Sequence, residues 1–422
     1  MIRFILADIR RFRAGALAVV VLIALSVALC TVVTLQERAV RLGSARAAEK
    51  FDLVVGAAGS ETQLTLSAVF LQPAPLPLMP GAVLAKLAAD PRVAFAAPVG
   101  FGDSASGFPV VGTTTTLIAS LSPQLAEGRA FARLGEAVLG AEVPMPGGAE
   151  IKPMHGTAET GGHTHTELAY TVTGRMAPTG TAWDRAILVP IRAVWQLHGM
   201  ESGHDEHDEH DHGDHASEAG ESEAHHEHGH VDPAAPIDER FDADMPGLPA
   251  VLVKPKTIAD AYRLRQEYRG ETTLAVFPGE VLTRLYATLG DMRSLLLAIA
   301  VGTQAIVVAA ILLVTIMHVG ARRRQIGALR ALGIPKRSIV VIVWGELFLL
   351  FAAGAALGIS GGYAAARVIS ALLTARTAVR LPVEFSGADL PLALGIGLGA
   401  ALVSLVPALV ALRSSPSEAL RA

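Results

Sequence analysis

The sequence predicts an α-helical membrane protein with four transmembrane helices and an α+β extracytoplasmic domain. Three observations carry that expectation. Apolar residues occupy 51% of the 422 positions while 18% are charged, a mixture that requires both a lipid-facing and an aqueous part. Four runs reach the length of about 20 apolar residues needed to cross a bilayer. The long block between the first and second runs alternates short strand and helix patterns.

Taken in order, the chain divides into a cytoplasmic N-terminus (1–13), a first transmembrane helix (14–35) and an extracytoplasmic α+β domain (36–290) with a disordered insertion at 199–247. A second transmembrane helix (291–319), a cytoplasmic segment (320–337) and a third helix (338–374) follow. A short outer loop (375–388), a fourth helix (389–412) and a cytoplasmic tail (413–422) complete it. Arg3, Arg10, Arg11 and Arg13 precede the first run, and Arg413 and Arg421 follow the last. Cations flanking membrane helices stay inside, so both termini are expected in the cytoplasm of a bacterium-like cell, the chain in its inner membrane and the large domain in the periplasm. The first run is longer than the h-region of a signal peptide and reads as a retained anchor. Its polar, Ala-rich continuation, 36–50, reads as a helical stalk. The single cysteine, Cys30, lies inside this run and reads as a packing residue, so the outer domain has no disulfides.

Within the domain, β-branched runs ended by Gly or Pro predict strands over 51–56, 94–99, 108–112, 137–139, 168–174, 186–190, 250–254 and 272–277. Helical spacing predicts helices over 81–89, 191–198 and 257–268. The pieces on either side of the insertion are expected to share one sheet.

The insertion has its own chemistry. From Glu201 to His230 there are nine histidines and eleven acids with no Lys or Arg, a composition that cannot bury a core. Without those acids the chain holds 28 acidic against 35 basic residues, a balance of +7 hidden by the overall −4. Imidazoles interleaved with carboxylates suit zinc and similar borderline divalent ions. The candidate ligands are His204, His207, His210, His212, His215, His225, His226, His228 and His230, with a smaller group at His155, His163 and His165. None has the fixed four-ligand spacing of a structural zinc site, so any zinc is expected to be loosely bound, and a solvated acidic linker is the alternative.

Between the second and third runs stands H-V-G-A-R-R-R-Q-I-G-A-L-R-A-L-G-I-P-K-R-S-I, from His318 to Ile339. Arg322, Arg323, Arg324, Arg330, Lys336 and Arg337 are six cations with no acid until Glu346. Ile326, Leu329 and Leu332 recur at threes, predicting a short amphipathic helix that Gly333 ends before Pro335 starts the next. His318, at the inner end of the second run, reads as an interfacial residue. This elbow, with Gln325 at the position before Ile-Gly, resembles the signature of ABC transporter permeases of the MacB, LolC/LolE and FtsX class. The tail V-P-A-L-V-A-L-R-S-S-P-S-E-A-L-R, 406–421, is similar to the ending of the same family. More loosely, 51–70 and the V-T-G-R-M-A-P-T-G-T-A-W-D-R-A-I-L-V-P stretch, 172–190, resemble its MacB-like periplasmic domain.

The resemblance implies that the elbow docks on a separate P-loop ATPase, with Ile326, Leu329 and Leu332 as apolar contacts and the arginines as polar ones. Gln325 replaces the family's usual Glu, which removes any ion pair from that position. It also implies a second permease copy, identical or not, and a periplasmic or outer-membrane partner. Nucleic acid is not among the expected partners. Glu346, inside the third run, is either a proton or substrate group or a carboxylate near the inner surface paired with the elbow. Glycines 354, 358, 361 and 362, and 395 and 399, form small-residue faces that permit close helix packing.

An enzyme reading finds no support, because the sequence contains no G-x-x-x-x-G-K-[ST], and its H-E-x-x-H, His226 to His230, falls in the low-complexity His-rich stretch and not on a predicted helix that could hold a catalytic zinc. No cofactor is expected in the chain, and ATP belongs to the partner. The expected function is a permease subunit that passes ATPase-driven movement to a periplasmic domain, for export, lipoprotein extraction or signalling, with a possible link to divalent metal. The alternative is a metal-sensing or metal-buffering membrane protein without a transport cycle.

Overall fold

The computed structural model describes residues 10, 13–155, 168–200, 231–288, 298, 302, 305, 309, 335–387, 395, 398, 399, 401, 402 and 404–406. Two compact units emerge, one of Met1–Leu42, Ala287–Leu373 and Leu381–Ala422, the other of Gly43–Tyr286 and Thr374–Arg380. Helix α1, Arg13–Ala48, has 36 residues and is thus about 54 Å long, against about 30 Å for a hydrocarbon core. Leu17, Val21, Leu22, Leu25 and Leu29 are exposed along its apolar part, as a lipid-facing surface requires. The helix then continues unbroken through the charged, Ala-rich stretch to Ala48, so the expected stalk is present.

The second unit is built on one mixed sheet. In chain order it contains β1 (Leu53–Ala57), α2 (Glu61–Phe70), α3 (Gly81–Ala89), β2 (Val93–Ala105), β3 (Phe108–Thr113), α4 (Thr115–Leu121) and β4 (Leu125–Gly128). It goes on through β5 (Glu136–Leu139), β6 (Glu150–Ile151), β7 (Met154–His155), β8 (Tyr170–Met176), β9 (Ile187–Pro190) and α5 (Ile191–Leu197). After the insertion come β10 (Ala250–Pro255), α6 (Ile258–Glu267), β11 (Thr273–Val276) and a helix, α7, over 278–288. The strand order is β11-β1-β10-β2-β3-β9-β5-β8-β4, with β6 on β8 and β7 on β2. β3 with β9 and β5 with β8 run parallel, and the other neighbours run antiparallel.

All eight predicted strands and all three predicted helices of the domain are present within a few residues. β10 and β11 flank β1, so the chain beyond the insertion completes the sheet begun before it. The β-branched runs that predicted these strands explain their place: Leu53, Val54 and Val55 are fully buried, which only a strand covered on both faces allows. Helices α2, α4 and α7 and strands β4, β6 and β7 were not anticipated. α2 did leave a signal, because Ser60 accepts a hydrogen bond from the Gln63 amide at 3.3 Å, the S-x-x-Q start of a capped helix. β6 and β7 have two residues each, too few for any periodicity.

One boundary is corrected. The insertion was expected to be disordered across 199–247, yet 231–247 is folded onto the domain. The Leu134 and Gly135 amides donate to Ala235 and Pro233, and the Ile237 amide donates to Ala132, at 3.0 to 3.1 Å. Glu239 accepts from the Thr115 amide at 2.5 Å and its hydroxyl at 2.7 Å, supplying the N-terminal cap of α4. Pro233 and Pro236 restrict the backbone and Val231 packs into the core, so this part is held to the domain.

Helix α8, Lys336–Thr377, has 42 residues and spans about 63 Å. In the first unit its glycines meet α1 directly. A Cβ at Gly354 would lie 2.7 Å from Ile23 Cβ, one at Gly358 2.6 Å from Val27 Cβ, and one at Gly362 2.8 Å from the Ala28 carbonyl oxygen. Ile23, Val27 and Phe351 are buried together around this seam. Spacing by four places these glycines on one face of the helix, and the missing side chains let the backbones approach. Gly361, Gly395 and Gly399 have no such neighbour among the described residues. α1 and α8 are the helices long and apolar enough to cross a membrane among the described residues; most of the second and fourth predicted spans lies outside them.

Candidate functional site

Both long helices end inside the α/β unit, and the site is the place that receives them. Strand β8 leads into A-P-T-G-T-A-W-D-R, 177–185, before β9 begins. Gly180 turns the chain at φ +74, a conformation costly for other residues. Asp184, 2% exposed, closes the loop. Its carboxylate accepts from the Thr179 amide at 2.8 and 3.0 Å, from the Thr179 hydroxyl at 2.7 Å and from the Gly180 amide at 2.7 Å. The backbone carbonyl of Asp184 accepts from the Glu142 amide at 2.8 Å. With both oxygens engaged by donors of its own turn, this carboxylate is a fastening.

The fastened turn presents two side chains to the helix ends. Trp183, fully buried, has its ring 6.0 Å from that of Phe51, three residues past the end of α1. The last turn of α1 is buried at Ser44, Ala47 and Ala48, and the Ser44 hydroxyl shares a 2.6 Å hydrogen bond with Tyr286 of α7. Arg185 donates to the Ala375 carbonyl at 2.9 Å. That carbonyl belongs to the last turn of α8, where backbone oxygens lack partners within the helix and a cation complements the dipole. Beyond it Ala378 adopts φ +57 and its amide donates to Thr374 at 2.7 Å, ending the helix in a left-handed cap. The arrangement can hold two helix ends in register on one rigid turn. It offers no nucleophile and no general base.

The residues predicted from sequence fall elsewhere. Arg322, Arg323, Arg324, Gln325, Ile326, Leu329, Arg330, Leu332 and Gly333 lie outside the described residues; Pro335 is exposed directly before α8. Glu346 sits in α8, half-buried. His163, His165 and His204 to His230 lie outside the described residues, while His155 stands in β7 opposite Asp103 of β2. Among the described residues no three His, Cys, Asp or Glu side chains come together as a metal site. Sequence reading marked 172–190 as a strand, a loop with Asp and a strand, but did not single out Asp184 or Arg185 as functional. The available signal was T-G-x-x-x-D, a short acceptor placed to close a glycine turn.

Comparison with known proteins adds the following. Residues 297–416 match the FtsX-like permease C-terminal family, a stretch that contains the elbow and supports its resemblance to ABC transporter permeases of the MacB and FtsX class. No curated protein matches the chain. Two solved structures similar to it are the periplasmic region of MacB from Actinobacillus actinomycetemcomitans and the extracellular domain of the noncanonic ABC-type transporter YknZ from Gram-positive bacteria. The first has 8% identity and a TM-score of 0.32, covering 56% of this chain and 95% of that one. The second has 10% identity and a TM-score of 0.28, covering 53% and 98%.

Proposed function

We propose that this chain, whose C-terminal region is that of an FtsX-like permease, is the membrane subunit of an ABC transporter and works by passing movement along its helices to the α/β domain. The observation that carries this reading is the continuity of α1 and α8. Each joins a stretch apolar enough to cross a membrane to a terminus held in the α/β unit, with no flexible linker between. An unbroken helix transmits displacement along its axis, and the Asp184-closed turn supplies a stiff end point for α8 through Arg185.

In this reading four helices cross the bacterial inner membrane, both termini are cytoplasmic and the α/β domain is periplasmic. ATP hydrolysis belongs to a P-loop ATPase that binds residues 320–337, and two permease copies face two ATPases. The nine histidines between 204 and 230 act as a low-affinity collector of zinc-class ions, linking the domain's output to divalent metal.

The test is co-purification of the full chain with the ATPase encoded beside it. Ile326→Asp, Leu329→Asp and Leu332→Asp together should abolish the complex while leaving the chain in the membrane, because an apolar contact burying three side chains at about 2 kcal/mol each is replaced by charge. A complex that survives the triple substitution overturns the assignment.

A further inference from the structure

Helix α8 has more residues than a bilayer needs, and its charges divide it. Between Glu346 and Arg376 the sole charged residue is Arg367. Leu347 to Ala366 is thus a charge-free run of 20 residues, about 30 Å of helix, which matches the thickness of a hydrocarbon core. Trp344 stacks on Phe348 at 5.2 Å beside the inner end of this run, and Tyr363 stacks on Phe385 at 5.1 Å beside its outer end. Trp and Tyr gather at the two interfaces between membrane and water, so the rings and the charges mark the same two levels.

Three segments meet at the outer level. α1 is apolar through Leu35 and turns polar at Gln36, Glu37 and Arg38. The Ser370 hydroxyl of α8 donates to Gln36 Oε1 at 3.4 Å, and Arg38 donates to the Glu384 carbonyl at 3.4 Å. The chain beyond α8 returns to the same level, where Phe385 lies exposed against Tyr363. These contacts place the polar end of α1, the returning chain and Arg367 within about one helical turn of one depth, so the boundary does not rest on the composition of α8 alone.

Arg367 faces away from α1. Gly362 meets α1, and Ala366 and Ser370 are buried on the same face, whereas Arg367, Val368 and Leu372 are exposed. The guanidinium stands 6.0 Å from the centre of the Tyr363 ring, and among the described residues it has no acidic partner. An unpaired guanidinium is costly in hydrocarbon, while its planar fork matches a phosphate through two parallel hydrogen bonds. The ring beneath attracts the cation and restricts where it points.

We propose that Arg367, seated on the stacked rings of Tyr363 and Phe385, binds the phosphate group of an outer-leaflet phospholipid, and that the hydrocarbon ends at this level. The proposal rests on the reading of α8 as a membrane helix and goes beyond it. Within the span expected over 338–374, residues 347–366 then lie in hydrocarbon. Val368 and Leu372, about 2 and 8 Å further out than Arg367, lie in the headgroup layer. Charge complementarity selects the occupant, because a lone cation among exposed apolar neighbours fits a phosphate that carries acyl chains, which a soluble anion lacks.

The experiment uses the full chain with Cys30→Ser, spin-labelled singly at Leu357→Cys or Leu372→Cys and reconstituted in vesicles of phosphatidylethanolamine and phosphatidylglycerol. Accessibility to oxygen, which concentrates in hydrocarbon, is compared with accessibility to a nickel chelate, which stays in water. The label at 357 should lie near the bilayer centre, and the label at 372 should be open to the chelate. A 372 label as shielded as the 357 label overturns the boundary. A 357 label open to the chelate overturns the membrane reading of α8 itself, a different result. The lipid contact is read by native mass spectrometry of the detergent-purified chain with added phosphatidylglycerol, and separately with inorganic phosphate. Arg367→Gln should weaken lipid binding about fivefold while Arg367→Lys keeps most of it. Lipid binding unchanged by Arg367→Gln, or inorganic phosphate binding as well as the lipid, overturns the phospholipid contact.

Discussion

Two buried carboxylates show how single residues set the domain's rigidity. Asp184 closes its turn with backbone and hydroxyl donors, whereas Glu136 is gripped by a cation. Arg129 donates to both oxygens of Glu136 at 2.6 and 2.8 Å, and the Ala132 amide adds a 2.7 Å bond. The Arg129 hydrogen bonds, partly opposed by burial, lower this carboxyl from an ordinary 4.5 to about 2. A group with a depressed folded value binds fewer protons folded than unfolded in the window between the two values. Its contribution is therefore complete above about pH 4.5, fades as pH falls through the window and is gone below about 2. Thermal unfolding followed by tryptophan fluorescence should show a midpoint that drops across this window, and Glu136→Gln should flatten that part of the profile. An equal slope in the variant would assign the acid sensitivity to other groups.

At the scale of elements, the contact between α1 and α8 depends on which glycine faces inward. Gly358 leaves no room, since an added Cβ would sit 2.7 Å from the Ala24 carbonyl oxygen, backbone that cannot move aside. Gly361 has open space among the described residues. Gly358→Leu should separate the helices and lower the unfolding midpoint of the detergent-purified chain by several degrees, an overpacking cost of about 1–3 kcal/mol. Gly361→Leu should leave the midpoint nearly unchanged and, by relieving a helix-interior glycine, raise it slightly. Equal effects from the two would mean that the seam contributes nothing. The same 42-residue helix stops at the left-handed Ala378, and Arg185 on the Ala375 carbonyl complements that end.

For the whole molecule, the folded parts on either side of the His-rich stretch carry their own fastenings. The Met200 amide donates to Trp195 at 2.9 Å, Val231 is buried, and Glu239 caps α4. Replacing that stretch by a short linker should leave the domain's unfolding midpoint unchanged or slightly higher, because each halving of a loop saves only about 0.6 kcal/mol of closure entropy. A marked fall in midpoint would mean that the stretch packs on the domain.

What the sequence determined by itself is what depends on near neighbours. Apolar runs gave α1 and α8, and β-branched runs gave all eight anticipated strands. The order of residues in the elbow gave a class of transporter that the match over 297–416 supports. Tertiary structure decided everything that joins residues far apart in the chain. The strand order, the attachment of 231–247, the turn that binds Ala375 through Arg185 and the stacking of Phe385 on Tyr363 have no local signature. Glycine is the clearest instance. Positions 354, 358 and 362 read like 361 in the sequence, and only the position of α1 decides which of them need to lack a side chain.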